Sequence, residues 1–323
     1  MKFHQIMPVI LAAMLFDAGA AYSQQPSLTK IGFVSWNNRD AAQQLDSLRE
    51  GLATLGYIEG QSISIEGHFT NGDAARTREV IRSFISRDVR VIVVRATPAA
   101  HIAKEITQTV PVVMLVADPL ATGLAQSLAN PGGNMTGMTM FGPTLAGKRL
   151  ELLREIKPGI RTIAFLGSSH DPNAATFVRE TEAAAVRLGL NVVVDLVAGP
   201  AALSESVMEG FRRAGAEAIV VQPIFSGHQA TIVTLATRSG LPVVADYAAF
   251  AKAGALLTFG TDDVSQMRRL ASYVDRILKG ESPANLPIEQ PSVFKIVVNL
   301  RTAKAFGFTI PPSVMIRTDE VIE

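Results

Sequence analysis

The apolar positions of this chain fall into short unbroken runs, separated by stretches with helical spacing. Val91–Val94 and Val112–Val116 are the plainest pair. Both are rich in β-branched residues and lack the alternation of a half-exposed strand, which predicts strands buried on both faces of a parallel sheet. Between them Ala99, Ile102, Ala103 and Ile106 share one face of a helix predicted over Pro98–Thr107. Thr97 is the expected N-cap and Pro98 the expected first helical residue. Ligands of open parallel sheets sit beyond the carboxyl ends of the strands, so Thr97, Pro98, Ala117 and Asp118 are candidate ligand contacts. The other reading of Thr97-Pro98 is a helix cap and nothing more.

The same alternation extends in both directions. Lys30–Ser35 is a strand, followed by Trp36-Asn37 and a helix from about Arg39 to Leu55 that Gly56 stops. Ser62–Gly67 is a strand and Asp73–Asp88 a helix. Beyond Val116 a short helix is expected over Ala121–Ala129, closed by Asn130-Pro131-Gly132-Gly133, then a strand over Met135–Met140. The order then restarts. Helices are expected over Pro143–Ile156, Asn173–Leu188, Leu203–Ala214 and Gln229–Ser239. Strands fall between and after them at Thr162–Leu166, Asn191–Leu196, Ala218–Val221 and Pro242–Ala245. Two successive runs of strand–helix alternation predict an α/β protein of two doubly wound, Rossmann-like lobes with a cleft between them. The late elements are a strand at Leu256–Phe259, a helix at Asp263–Leu278, a Pro-rich extended stretch at Ser282–Pro291, a strand at Val293–Val298 and a short helix at Thr302–Phe306, with Pro311-Pro312 closing. They are too few for a third domain and are expected to complete the two lobes. The expected division is residues 27–141 plus 262–290 for the first lobe and 142–261 plus 291–323 for the second. Chain crossings then fall near Met140–Gly142, Phe259–Asp262 and Gln290–Val293.

Composition narrows the function. The 323 residues are 48% hydrophobic and 18% charged, which supplies real cores and excludes disorder. The net charge of +1 gives no basic field for nucleic acid. With no cysteine there is no disulfide, thiol nucleophile, Cys–zinc site or lipidated N-terminal cysteine. The five histidines are scattered without ligand spacing, so no metal and no cofactor is expected. At the N-terminus Lys2 precedes the apolar Ile6–Phe16 and the small residues Ala18–Ala21, a secretory signal pattern over residues 1–23. Cleavage is expected near Ala20 or Ser23, the mature chain starting between Ala21 and Gln25. An uncleaved anchor is the alternative, and the run is short for a membrane span.

The chain resembles the substrate-binding proteins of ABC transporters, of the type I periplasmic class that includes bacterial tryptophan and tyrosine binders. The stretches that carry the likeness are spread over nearly the whole mature chain: IGFVSWNN, LATLGYIEGQSISIE, VIVVRATPAA, PVVMLVADPLATGL, NPGGNMTGMT, KRLELLREIKP, DPNAATF, GLPVVADYAAFAKAGALLTFG, YVDRILKGESPANLPIEQP and VVNLRTAKAFGFTIPPS. The resemblance implies a cleft that closes on a small solute and delivery to a membrane permease driven by a cytoplasmic ATPase; the leader and the absent cysteine make a periplasmic protein that is not a lipoprotein the expectation. It implies no catalysis. One departure stands out: amino-acid binders of this family supply an acid after the strand equivalent to Ala218–Val221, where this chain has Gln222-Pro223-Ile224-Phe225. Either Asp246 takes over, or the ligand lacks an ammonium group and is an aromatic or other small carboxylate.

Strand ends facing each other across a cleft make Trp36, Asn37, Ser168, Asn173, Gln222, Asp246 and Thr261 candidate contacts beside Thr97, Pro98, Ala117 and Asp118. Each has a structural alternative: lobe-edge packing for Trp36, a helix cap for Asp118 and Asn173. Arg95 ends a buried strand and is either a cleft charge or, the preferred reading, a side chain that snorkels to the surface, and His101 is expected to be a solvated helix position. No elbow around a serine, phosphate loop, dinucleotide fingerprint or metal spacing argues for an enzyme. The alternative function is a sensory receptor that presents the same ligand to a membrane kinase. A sugar-responsive transcription factor would need a DNA-binding headpiece where the leader stands.

Overall fold

The computed structural model describes residues 28–38, 42–140 and 142–323. The leader, its cleavage site and the expected helix start at Arg39 lie outside these residues. The first sheet is fully parallel, in the order β2 (Ile63–Phe69), β1 (Thr29–Ser35), β3 (Val91–Arg95), β4 (Val112–Val116), β5 (Met135–Thr139). The second places β6 (Thr162–Ser168), β7 (Asn191–Val197), β8 (Ile219–Val221), β9 (Val243–Ala245) and β10 (Leu257–Thr261) in the order β7-β6-β8-β9-β10. That is the same winding as the first sheet. Two strands extend its edge: β11 (Phe294–Asn299), antiparallel to β10, and β12 (Glu320–Ile322), parallel to β11.

The unbroken apolar runs are buried as their pattern requires. Every residue of β3, β4 and β5 is buried. Parallel neighbours require crossover connections, and the intervening helices supply them. In the first sheet α1 (Ala42–Thr54) packs with α9 (Asp263–Leu278), and α2 (Ala74–Ser86) packs with α3 (Thr97–Ile106). Helix α9 lies far along the chain but belongs to this sheet, touching β3, β4 and β5. The second sheet carries α4 (Ala146–Ile156), α5 (Ala174–Leu188), α6 (Glu205–Arg213), α7 (Gln229–Arg238), α8 (Ala248–Lys252), α10 (Leu300–Ala305) and α11 (Pro312–Met315).

The chain passes between the sheets after β5, at Asp262, and between residues 289 and 294. In the last passage the Thr139 N–H donates to the Glu289 carbonyl, 2.9 Å, before β11 begins in the other sheet.

Two local expectations are corrected, and two short elements are added. Ala121–Ala129 is a series of turns, not a helix. Asp118 Oδ1 accepts from the N–H groups of Leu120 and Ala121, and Gly123 adopts φ 69°, so local turn bonds win over helical ones. Pro311-Pro312 does not close the chain: Pro312 opens α11, where a missing N–H costs nothing. The five-residue α8 and the three-residue β12 are too short to show periodicity in sequence.

Candidate functional site

Both windings reverse direction at one point, between β1 and β3 in the first sheet and between β6 and β8 in the second. In such sheets the crevice at the reversal is where ligands sit. The loops after those four strands meet face to face. Asn37, after β1, donates from Nδ2 to the carbonyls of Ile224 (3.0 Å) and Ser226 (2.5 Å), after β8. Asn38 Nδ2 donates to the Gly227 carbonyl, 2.6 Å. Gly227 has φ 93°, and a side chain there would collide with Asn38 Oδ1, so the residue type permits the approach. Thr97, after β3, meets Asn173, after β6: Asn173 Nδ2 donates to Thr97 Oγ1 at 2.7 Å.

The predicted contacts divide into three groups. Trp36, Asn37, Thr97, Pro98, Ser168, Asn173 and Gln222 are all buried around this meeting point. The space bounded by Trp36, Asn37, Ser168, Ile224 and Phe225 is only about 10 Å³. Ala117 and Asp118 line a separate groove of about 140 Å³ with Thr139 and Gln290. Asp246 and Thr261 line a cleft of about 410 Å³ beside the Asp262 crossing.

The start of α3 differs from expectation. Ala96, not Thr97, occupies the cap, with φ 75° and ψ 146°, and Pro98 is the second helical residue. The Thr97 hydroxyl is therefore released from capping. Its oxygen accepts from Asn173 Nδ2 and from the Ala117 N–H (3.4 Å), which leaves its hydrogen to donate. Of the first-turn N–H groups, Ala100's goes to the Ala96 carbonyl, 3.2 Å, and Pro98 has none. Those of Thr97 and Ala99 precede any intrahelical acceptor. The helix dipole adds partial positive charge at the same place.

Of the two readings of Arg95, the cleft charge holds and the surface position does not. The residue is 2% exposed. Its Nη2 pairs with Asp263 Oδ2 at 2.7 Å, its Nη1 donates to Asn37 Oδ1, and the guanidinium lies 5.4 Å from the Tyr247 ring centroid. A guanidinium ending a strand in the cleft finds acceptors and an aromatic face there, which makes burial tolerable. His101 is half-buried, with Nε2 enclosed and unpaired, and burial lowers its pKa. Asn173 occupies the cap of α5 without capping it, because its side chain reaches Thr97 instead. Thr261 donates to Gln266 Oε1 at 2.9 Å.

The acids around the cleft are in unlike environments. Asp246 is buried, faces Arg149 Nη2 at 3.9 Å and accepts the Tyr247 N–H at 3.1 Å. Burial raises its pKa to about 6, against the opposing pull of Arg149. Asp171 is the acid that sequence reasoning missed. Its Oδ1 accepts the Asn173 N–H at 2.9 Å and its Oδ2 accepts from Gln222 Nε2 at 2.7 Å, while Gln222 Oε1 takes the Ser168 N–H at 2.8 Å. Burial lifts Asp171 to about 6 as well. The signal for it was an Asp-Pro-Asn turn directly after a buried strand.

Comparison with known proteins agrees with this geometry. A structure of an ABC domain from Streptococcus pneumonia in complex with L-Trp is 28% identical, covers 92% of this chain and 100% of that one, and superposes with a TM-score of 0.83. A conserved domain protein from Vibrio cholerae shares the fold at 24% identity and a TM-score of 0.85, over 91% of this chain and 99% of that one. A tyrosine-binding protein of Clostridioides difficile (strain R20291) is 23% identical over 266 residues, 81% of this chain and 76% of that protein. The family model for ABC transporter substrate binding proteins matches residues 30–322, so a chain with two like-wound type I lobes meeting at their switch points belongs to that family.

Proposed function

We propose that the protein is the periplasmic receptor of an ABC uptake transporter, exported by residues 1–23 and not lipidated, that carries a small carboxylate-bearing solute to a membrane permease. The solute class is an amino acid, or an aromatic or other small acid. The two lobes are residues 27–141 plus 262–290 and 142–261 plus 291–323, and they close on the solute by hinge rotation at the three crossings. The relatives that bind tryptophan and tyrosine support the aromatic reading. The observation that carries the carboxylate is the start of α3, where the Thr97 hydroxyl and two first-turn N–H groups converge beside Asn173 of the other lobe. Charge-assisted bonds to such donors contribute roughly 1.5–3 kcal/mol each.

Calorimetry against aromatic amino acids, aromatic acids, and their amides and esters tests this reading. The acids are expected to bind, and the neutral analogues to bind more weakly. Thr97→Val keeps the shape and removes a donor, and is expected to weaken the acid about tenfold, or about 1.4 kcal/mol. Normal binding by Thr97→Val, together with equal affinity for acid and amide, rejects the anion site.

A further inference from the structure

The outer edge of the second sheet is a surface that solute binding leaves unused. We infer that β7 pairs antiparallel with β7 of a second copy of this chain, joining the two second sheets across a twofold axis at Val194.

The other sheet edges are protected. Along β5 the Glu289 N–H donates to the Gly137 carbonyl at 3.0 Å, and the Thr139 N–H donates to the Glu289 carbonyl at 2.9 Å. Along β2 the Gly60 N–H donates to the Ile63 carbonyl at 2.8 Å, and the Ile65 N–H donates to Glu59 Oε1 at 3.4 Å. β12 is only three residues long. β7 has seven, Asn-Val-Val-Val-Asp-Leu-Val, with no Lys, Pro or Gly, and its ladder to β6 runs without a bulge. Soluble proteins ordinarily blunt an open edge with such devices, because its unpaired N–H and C=O groups template another strand.

The backbone fixes which groups of β7 are free. The Asn191 N–H donates to the Arg161 carbonyl at 2.8 Å, and the Ser169 N–H donates to the Val197 carbonyl at 2.9 Å. Bonding alternates along a parallel ladder, so the odd-numbered residues turn their backbone groups to β6. Val192, Val194 and Leu196 turn theirs outward. Among the described residues none bonds to those outward groups. All three side chains are half-buried.

A second copy fits this edge because the outward set is symmetric about Val194. Antiparallel pairing centred there sets Val194 opposite Val194 and Val192 opposite Leu196, each pair exchanging both N–H···O bonds. Asp195 then falls opposite Val193, so no like charges stand directly opposed. Centring on Asp195 would oppose the two carboxylates, and centring on Val193 would leave Leu196 beyond the partner strand. Helix α5 packs against β7, so pairing also brings two copies of α5 to one face of the joined sheet. That adds area beyond the strands, which a stable dimer requires. The contact is isologous and closes at two copies. It leaves the crevice between β6 and β8 open.

Sedimentation equilibrium of the purified exported protein tests the pairing. The mass is expected to rise from one chain to two, and no further, over about a hundredfold range of concentration. Val194→Lys sets like charges opposite each other on the axis and is expected to weaken the dimer at least about tenfold. Asp195→Asn removes two carboxylates that stand on a diagonal roughly 7–8 Å apart, and is expected to tighten it about twofold. The chain has no cysteine, so Val194→Cys reports on the axis alone. A bonded antiparallel pair has a Cα separation of about 5.5 Å, which admits a disulfide. Under oxidised glutathione Val194→Cys is expected to cross-link faster than Ala230→Cys, an exposed position on α7. A monomer at every concentration overturns the pairing. So does assembly beyond two copies, or a dimer that Val194→Lys leaves unchanged. If Val194→Lys does not fold, Val194→Cys decides, and cross-linking no faster than that of Ala230→Cys overturns the pairing.

Discussion

At the scale of single residues the cleft carries strain and uncompensated charge in the same place. Ala96 sits at φ 75° and ψ 146°, a region nearly reserved for glycine, in the residue that sets the direction of Thr97. Such a conformation costs on the order of 1–3 kcal/mol and persists only where the surroundings enforce it. Here Ala96 is tied at both ends, its N–H to the Leu115 carbonyl and its carbonyl to the Ala100 N–H. Ala96→Gly removes the strain and adds unfolded-chain entropy worth roughly 0.5–1 kcal/mol. The expected outcome is a net gain of about 1 kcal/mol in denaturant unfolding; a loss of stability would mean that Ala96 is not strained. The Asp171 carboxyl gives a second prediction. Its folded pKa of about 6 lies above the ordinary aspartate value, so the native state binds a proton more tightly than the unfolded chain. Its effect is absent below the unfolded pKa, grows into a penalty as pH rises through about 6, and is constant above that. Asp171→Asn has no such penalty. Its unfolding free energy relative to wild type should therefore rise between about pH 4 and pH 7, by roughly 1.4 kcal/mol for each unit of pKa difference. A difference that is flat with pH contradicts the buried, unpaired carboxylate.

At the scale of elements, the parts legible in sequence were those whose signal is local and repeated. The runs at Val91 and Val112 announced β3 and β4 because a strand covered on both faces leaves no polar position. Helix α9 was readable to its ends, Asp263 and Leu278, since it spans more than four turns of apolar spacing. Failures came where a side chain serves a partner remote in sequence. Thr97 reads as a cap until Asn173, 76 residues away, is brought to its hydroxyl. Arg95 reads as a surface residue until Asp263, 168 residues away, is brought to it. Asp118 belongs to the opposite class: its bonds are local, and they consumed the helix expected after it. Asp171 was passed over because Asp-Pro is ordinary turn chemistry, and only burial separates a turn residue from an acid of the cleft.

At the scale of the molecule, the closure proposed for the two lobes depends on bonds that cross the cleft, and Asn37 makes two of those among the described residues. It is 2% exposed and occupies both ends of its amide: two carbonyls of the second lobe on Nδ2, and Arg95 on Oδ1. Arg95 in turn lies against Tyr247 of the second lobe, so Asn37 also steadies that contact. None of these bonds lies within the core of either sheet. Asn37→Ala should therefore leave each lobe folded and act on closure alone. Two lost interlobe bonds at roughly 0.5–1.5 kcal/mol each shift the equilibrium toward the open form by about 2 kcal/mol, near thirtyfold. A ligand that needs the closed form then binds more weakly in proportion to the closed fraction lost. Small-angle scattering should show a larger radius of gyration for Asn37→Ala without ligand, converging on the wild-type value at saturation, with circular dichroism unchanged. An unaltered radius and unaltered affinity would show that the lobes are held by packing across the gap, and that the asparagine bonds follow closure instead of setting it.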